Sequence, residues 1–167
     1  SFSHNGGTVD EPIDFPDLEA FGNNNFIIEL DDLKSVLDWL TKNENIKNDI
    51  DIQNITLIGH SRGGGIVLIK AAEDLRIKKV ITWAGVSDYG SKFPKGDALK
   101  VWKDNGVSYI TNARTHQEMP HYYQFYTNFK ENEDRLNIKS AIKKLKIPFL
   151  IIHGSDDETV ALQEAKN

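Results

Sequence analysis

The chain has 167 residues, a formal charge of -5 and no cysteine. This length suits one domain with a hydrophobic core and is short for two. The mildly acidic balance argues against nucleic acid or an anionic membrane surface as the main partner, the lack of cysteine excludes disulfides, cysteine nucleophiles and cysteine-ligated zinc, and no apolar run approaches the roughly 18 residues of a membrane span.

The first strongly patterned segment is a predicted helix from Phe26 to Lys42. Apolar residues recur there at steps of four and three, which places them on one face of a helix. The run Asn23–Asn25 can cap the start of this helix, and Glu29 in its first turn suits the helix dipole. The apolar positions are Phe26, Leu30, Leu33, Leu37 and Leu40.

Three short apolar runs are predicted to be strands: Ile55–Ile58, Val80–Ala84 and Pro148–Ile152. Their hydrophobic residues are continuous rather than alternating, which is typical of strands buried on both faces in a parallel sheet covered by helices. An apolar helix over residues 66–72 follows the first run, and we expect this helix to be buried.

The segment between residues 88 and 146 alternates aromatic and polar residues and is too long for a single crossover helix. We predict helices there, with an excursion over the sheet edge, and the clearest helix at Arg135–Leu145. The whole chain, 1–167, is therefore predicted to be one α/β domain. A mostly parallel sheet is flanked by helices, with a helical insert at about 88–146 before the last strand.

The turn Gly59-His60-Ser61-Arg62-Gly63 joins the first predicted strand to the apolar helix. A phosphate-binding P-loop would need Lys and Ser or Thr where Gly65 and Ile66 stand. The dinucleotide fingerprint would need glycine at the position of Ser61. Only the Gly-x-Ser-x-Gly pattern of a nucleophile elbow is satisfied in full.

The chemistry of such an elbow explains its residues. The serine occupies a strained strand-to-helix turn that exposes its hydroxyl, and Gly59 and Gly63 are expected where a Cβ would collide with a neighbouring element. The N–H of Arg62, at the helix start, can donate to the oxyanion that forms when Ser61 attacks a carbonyl. The alternative interpretation is a glycine-rich turn whose serine caps the helix.

A serine nucleophile needs a base and an orienting acid. In this architecture the acid follows a later strand and precedes the catalytic histidine along the chain. Asp157, in the turn after the third predicted strand, is the favoured acid. Asp88, just after the second predicted strand, is the alternative.

Two motifs together resemble the α/β-hydrolase fold, in its dienelactone hydrolase and prolyl-peptidase-like branch: residues 59–64 and His153-Gly154-Ser155-Asp156-Asp157-Glu158-Thr159-Val160. The resemblance implies that Asp157 is the catalytic acid. Residues 2–6 resemble the end of the family's fourth strand and the loop that rims the active site, which makes His4 and Asn5 candidate rim residues. The resemblance also implies a partial fold, in which the first strands, the second oxyanion donor and the catalytic histidine lie outside residues 1–167.

None of the chain's own histidines is expected to be the base. His60 should point away from the site, His153 should stabilise the acid turn, and His4 should rim the pocket. His116 and His121 precede the acid, so chain order opposes them. No spacing of a metal site is present, so we expect no metal and no other cofactor.

These observations predict a serine hydrolase that cleaves small carboxylic esters. The aromatic insert would cover the pocket and set acyl specificity. The alternatives are a non-catalytic binding or scaffold member of the fold, and a peptidase or acyltransferase. We expect a small-molecule substrate, no nucleic-acid or membrane partner and a cytoplasmic location, and we expect residues 1–167 alone to be inactive.

Overall fold

The computed structural model describes residues 2–11, 14–46 and 48–167. Within them, helices and strands alternate along much of the chain. The helices are Leu18–Asn23 (α1), Phe26–Lys42 (α2), Arg62–Glu73 (α3), Gly96–Asn105 (α4), Gln124–Glu131 (α5), Ile138–Lys144 (α6) and Gln163–Lys166 (α7). The strands are Ile55–His60 (β1), Ile77–Trp83 (β2), Val107–Thr111 (β3), Glu118–Tyr122 (β4) and Phe149–Ile152 (β5).

The chain divides into two compact units. The first, here called the sheet unit, consists of residues 33–92 and 133–167, without the undescribed residue 47. The second, the insert unit, consists of residues 93–132 and the described residues of 1–32. The insert predicted at about 88–146 thus contributes only its middle part to the second unit, and the N-terminal segment belongs to that unit as well.

The sheet unit is built on a parallel three-stranded sheet in the order β1-β2-β5. In its register, Gly59 lies beside Thr82, and Thr82 lies beside Ile151. Helix α3 packs against β1 and β2, and α6 packs against α3. The predicted parallel sheet with flanking helices is therefore confirmed.

The prediction that the strands are buried on both faces is wrong for the described part of the chain. On the face toward α3, Val80 and Thr82 are buried. On the opposite face, Ile58 is 67% exposed and Trp83 is 57% exposed. In β5, the residues of both faces are at least 40% exposed. The continuous apolar pattern is correct, but among the described residues helices cover only one face.

Helix α2 begins and ends at the predicted residues, Phe26 and Lys42. Asn25 caps it, since its side-chain oxygen accepts a hydrogen bond from the N–H of Ile28 at 3.0 Å. Glu29 lies in the first turn and is buried, where it accepts a hydrogen bond from the Asn24 side chain at 2.8 Å. The buried stripe includes Leu30 and Leu37.

The insert unit has an aromatic core of its own. Trp102 and Phe129 are nearly inaccessible to solvent, and Phe93 lies within 6.2 Å of both rings, centroid to centroid. Such stacked and tilted ring pairs stabilise a core beyond the area that they bury. Aromatic residues predicted to cover a substrate pocket therefore pack largely against one another.

The insert unit also contains an antiparallel hairpin that the sequence did not predict, formed by β3 and β4. The connection of residues 112–117 is closed by Asn112, whose side-chain oxygen accepts from the N–H groups of Arg114 and Thr115. His116, in the same connection, has a positive φ of 58°. The sequence signal was weak because Pro120 lies within β4, and proline is unusual inside a strand.

Candidate active site

Ser61 is the single residue between β1 and α3, and its backbone angles are φ 52° and ψ -121°. A non-glycine residue with positive φ stores strain of about 1–3 kcal/mol, so the surrounding structure must hold it. The N–H of Ser61 donates to the carbonyl of Trp83 at 3.0 Å, and its own carbonyl accepts from Gly64 and Val86 at 3.0 and 3.3 Å. The predicted strained strand-to-helix turn is confirmed.

The helix-cap interpretation of Ser61 is wrong, because its side chain makes no capping hydrogen bond to α3. A serine that served only to cap the helix would direct its oxygen at the N–H groups of the first turn. Arg62, the predicted oxyanion donor, is the first residue of α3. Its N–H therefore lies at the positive end of the helix dipole, where an anion is stabilised.

The glycines around Ser61 serve different purposes. A Cβ on Gly59 would lie 2.2 Å from the carbonyl oxygen of Gly63, so glycine is required at position 59, as predicted. The same expectation for Gly63 is wrong, because a Cβ there would meet nothing within 4 Å. Sequence reasoning missed Gly64 and Gly65. A Cβ on Gly64 would lie 2.7 Å from the Cα of Gly85, and one on Gly65 would lie 2.4 Å from the Tyr89 hydroxyl oxygen.

Asp157 lies in the loop between β5 and α7. Because β1, β2 and β5 are parallel, their carboxyl ends lie at one edge of the sheet. Ser61 and Asp157 both follow such ends, which confirms the predicted common edge. A gap suited to an imidazole between the two side chains stays a prediction.

The Asp157 carboxylate is held by its own loop. Its Oδ1 accepts from the N–H groups of Val160 at 2.8 Å and Thr159 at 2.9 Å. The bond from Val160 is the main cause that holds the pKa of Asp157 below its usual value, against partial burial that would raise this pKa. Among the described residues, no hydrogen bond is recorded to Oδ2, so this oxygen can orient another group.

Asp88, the alternative acid, follows β2 at the same edge of the sheet and is exposed. Its Oδ1 accepts from the N–H of Gly90 at 2.8 Å and so stabilises a turn. The choice of Asp157 over Asp88 stays a prediction.

His153 stabilises the turn of Asp157 as predicted, because its Nε2 donates to the Val160 carbonyl at 2.6 Å.

The other histidines have identifiable surroundings. His60 is exposed, and its ring centroid lies 5.6 Å from that of Trp83, on the uncovered face of the sheet. His121 contacts Phe21 within the insert unit at a ring separation of 5.3 Å. His4 Nδ1 lies 2.8 Å from the Ser3 hydroxyl.

The predicted rim residues His4 and Asn5 belong to the N-terminal segment of the insert unit. The strand end expected within residues 2–6 is wrong, because residues 3–6 form turns and bends and residue 2 lies in no strand. The side-chain oxygen of Asn5 accepts from the N–H of Gly7 at 3.0 Å, which shapes the local turn. That contact is structural, and a rim position for either residue stays a prediction.

The described residues form a cavity that Ser61 does not line, but no metal site and no membrane-spanning helix. A cavity of about 400 Å³ in the sheet unit is lined by Leu68, Ile138 and Phe149 among others, but not by Ser61 or Asp157. Within 2–11, 14–46 and 48–167, no three His, Cys, Asp or Glu side chains are grouped so that they could hold a metal ion. In the same residues, no helix has both the length and the apolar composition needed to cross a membrane.

Comparison with known proteins supports the architecture. The "Uncharacterized peptidase YtmA" of Bacillus subtilis (strain 168) is 26% identical over 166 residues, which are 98% of this chain and 57% of that protein. A putative hydrolase from Agrobacterium vitis S4 has a TM-score of 0.60 at 18% identity, over 88% of this chain and 55% of its own. An esterase domain from Rhodothermus marinus has a TM-score of 0.52 at 20% identity, over 87% and 53%.

The chain thus spans little more than half the length of these relatives. At such identities, the structural likeness shows the fold alone. The family model described as BD-FAE matches residues 16–167, which is most of the chain. The chain has the α/β-hydrolase fold and belongs to the BD-FAE family.

Proposed function

We propose that the protein is a serine hydrolase that cleaves small carboxylic esters, with Ser61 as the nucleophile. The observation that carries this proposal is the backbone of Ser61, a non-glycine residue at φ 52° between a parallel strand and a helix. Strained backbone angles of this kind cluster at functional sites, and this turn places the Ser61 hydroxyl beside the N-terminus of α3. The esterase domain among the structural relatives agrees with this assignment.

In the proposed reaction, the Ser61 oxygen attacks the ester carbonyl carbon while a histidine takes the hydroxyl proton. The N–H of Arg62 donates to the carbonyl oxygen as it becomes an oxyanion. The histidine then protonates the departing alcohol, and an acyl-serine remains until water hydrolyses it. Asp157, through Oδ2, orients that histidine and stabilises its positive charge.

The histidine in this scheme is proposed to lie outside residues 1–167. His153 is engaged with the Val160 carbonyl, and His60 stands beside Trp83 on the uncovered sheet face. His121 packs among aromatic rings, and His116 lies in the hairpin connection. His4 is the first of the five to test if a base is found within the chain.

A fluorophosphonate probe tests the nucleophile directly, because it reacts much faster with an activated serine than with other side chains. In the natural full-length protein we expect one adduct, located on Ser61 by peptide mass spectrometry. A well-folded protein that takes up no probe would favour the scaffold alternative.

The name of the Bacillus subtilis relative makes a peptidase the second candidate. An aminoacyl anilide assayed beside an activated acetate ester separates the two activities.

Replacing Asp157 by asparagine should lower kcat for the acetate ester by roughly two to four powers of ten. Asparagine keeps one oxygen to accept from Val160 and Thr159, so the turn should survive. Its amide NH₂, however, would face the histidine N–H and favour the wrong tautomer. Steady-state kinetics and thermal melting of the variant check both expectations.

Two matched variants serve as controls for that prediction. Asp156→Asn removes the neighbouring exposed carboxylate, and Asp88→Asn removes the alternative acid. Each should change kcat by less than about three-fold. A large loss in Asp88→Asn, with none in Asp157→Asn, would exchange their roles.

A further inference from the structure

The loop that carries Asp157 is fixed at its start and at its middle. It begins at the end of β5, and the His153 side chain then bridges to the Val160 carbonyl across the turn. Val160 is itself buried at 6% exposure. Beyond it the chain enters α7, where the next attachment comes from Glu164.

Glu164 makes three hydrogen bonds to a different segment of the sheet unit. Its Oε2 accepts from the N–H of Ser87 at 2.8 Å and from the Ser87 hydroxyl at 2.6 Å. Its Oε1 accepts from the Lys92 ammonium at 2.5 Å, and the Glu164 side chain is only 13% exposed. Hydrogen bonds in which one partner is charged are stronger than those between neutral groups, so Glu164 holds α7 firmly against the segment that contains Ser87 and Lys92.

The charge state of Glu164 agrees with that role. Burial alone would raise its pKa, but the bonds from Lys92 and Ser87 outweigh burial and lower the pKa to about 2. The carboxylate therefore stays ionised at any pH at which ester hydrolysis would be assayed. The stability that these bonds contribute is present above the ordinary glutamate pKa and is lost only as the pH falls toward 2.

The segment that Glu164 contacts through Ser87 is also hydrogen-bonded to the turn of Ser61. Residues 84–87 follow β2, and the N–H of Val86 donates to the Ser61 carbonyl at 3.3 Å. In the same segment the N–H of Ala84 donates to Ile152, the last residue of β5, at 2.8 Å. One short segment thus connects the turn of Ser61, the start of the acid loop and, through Glu164, the end of that loop.

We propose that Glu164 is a positioning residue, which sets the place of the Asp157 carboxylate relative to Ser61. The inference rests on the proposed function, since it assigns Glu164 an effect that acts through the acid. Misplacing a reacting group by about 1 Å can cost roughly a hundred-fold in rate. Losing the grip on one end of the acid loop allows a displacement of that order.

The test is Glu164→Gln in the natural full-length protein. The amide keeps the shape, but its NH₂ meets either the Ser87 donors or the Lys92 ammonium, so at least one bond is lost. We expect kcat for an activated acetate ester to fall roughly ten- to a hundred-fold, with KM changed less than about three-fold. Glu158→Gln, which removes an exposed carboxylate from the same loop, is the matched control and should keep its kcat.

A double-mutant cycle with Asp157 distinguishes positioning from a general loss of stability. In an Asp157→Asn background, Glu164→Gln should change kcat less than about three-fold, because the acid that it positions is already gone. If Glu164→Gln fails to fold, Ser87→Ala is the second variant. It removes the hydroxyl that donates to Glu164 and accepts from the Asn167 side chain, and it keeps the bond from the Ser87 N–H, so it should show the same pattern at smaller size.

The outcomes separate this inference from the proposed function. An unchanged kcat in Glu164→Gln, or the same loss with and without Asp157, would overturn the positioning role alone. An unchanged kcat in Asp157→Asn would overturn the acid assignment and the positioning role together.

Discussion

Replacing Ser61 by alanine should reduce kcat for ester hydrolysis by about four to six powers of ten in the natural full-length protein. The substitution removes the oxygen that forms the acyl intermediate, and no neighbouring group can take its place. Water attack assisted by the remaining oxyanion donors would give only residual turnover. The variant forms no acyl-serine, so its KM and that of the parent describe different reactions. The proper comparison between the two proteins is the single-turnover rate measured at saturating ester.

The control for this experiment is Ser140→Ala in α6, where no hydrogen bond from the hydroxyl is recorded among the described residues. It should retain full activity. Because alanine at position 61 keeps the backbone bonds to Trp83, Gly64 and Val86, the Ser61→Ala variant should melt within a few degrees of the parent. Turnover that survives in Ser61→Ala would end the nucleophile assignment.

Several helices and the nucleophile turn could be predicted because independent local signals agree there. The apolar spacing and the Asn25 cap both indicate α2, and its bounds match. The nucleophile turn was predictable because the five-residue pattern lies between an apolar strand and an apolar helix. Helix α6, predicted to start at Arg135, begins at Ile138 because Asn137 caps it through the N–H of Ser140.

The features that could not be predicted depend on contacts far apart in the chain. Glu164 reads as one more charged residue of a short helix, and only folding brings it to Ser87. The aromatic residues of the insert are rich in signal, but the sequence does not say whether Trp102 faces a substrate or other rings. The apolar strands predict two covered faces, whereas the number of helices that cover them is a tertiary property.

Gly59→Ala and Gly63→Ala form the sharpest test of the nucleophile turn, because the motif treats the two glycines alike and the structure does not. A Cβ on Gly59 would lie 2.2 Å from the Gly63 carbonyl oxygen and 2.6 Å from the carbonyl carbon. These are backbone atoms at the start of α3, which cannot rotate away as a side chain could. Relief requires the helix to shift from the strand.

We therefore expect Gly59→Ala to lower the free energy of unfolding by more than about 4 kcal/mol, a size reserved for such backbone and packing conflicts. Gly63→Ala should stay within about 1 kcal/mol of the parent, and on the stabilising side, since a Cβ at position 63 meets nothing within 4 Å and alanine favours helix by up to about 1 kcal/mol. Urea unfolding of the natural full-length protein measures both. Equal destabilisation by the two substitutions would mean that Gly63 is confined as Gly59 is, and that α3 lies closer to β1 at this turn than the structure has it.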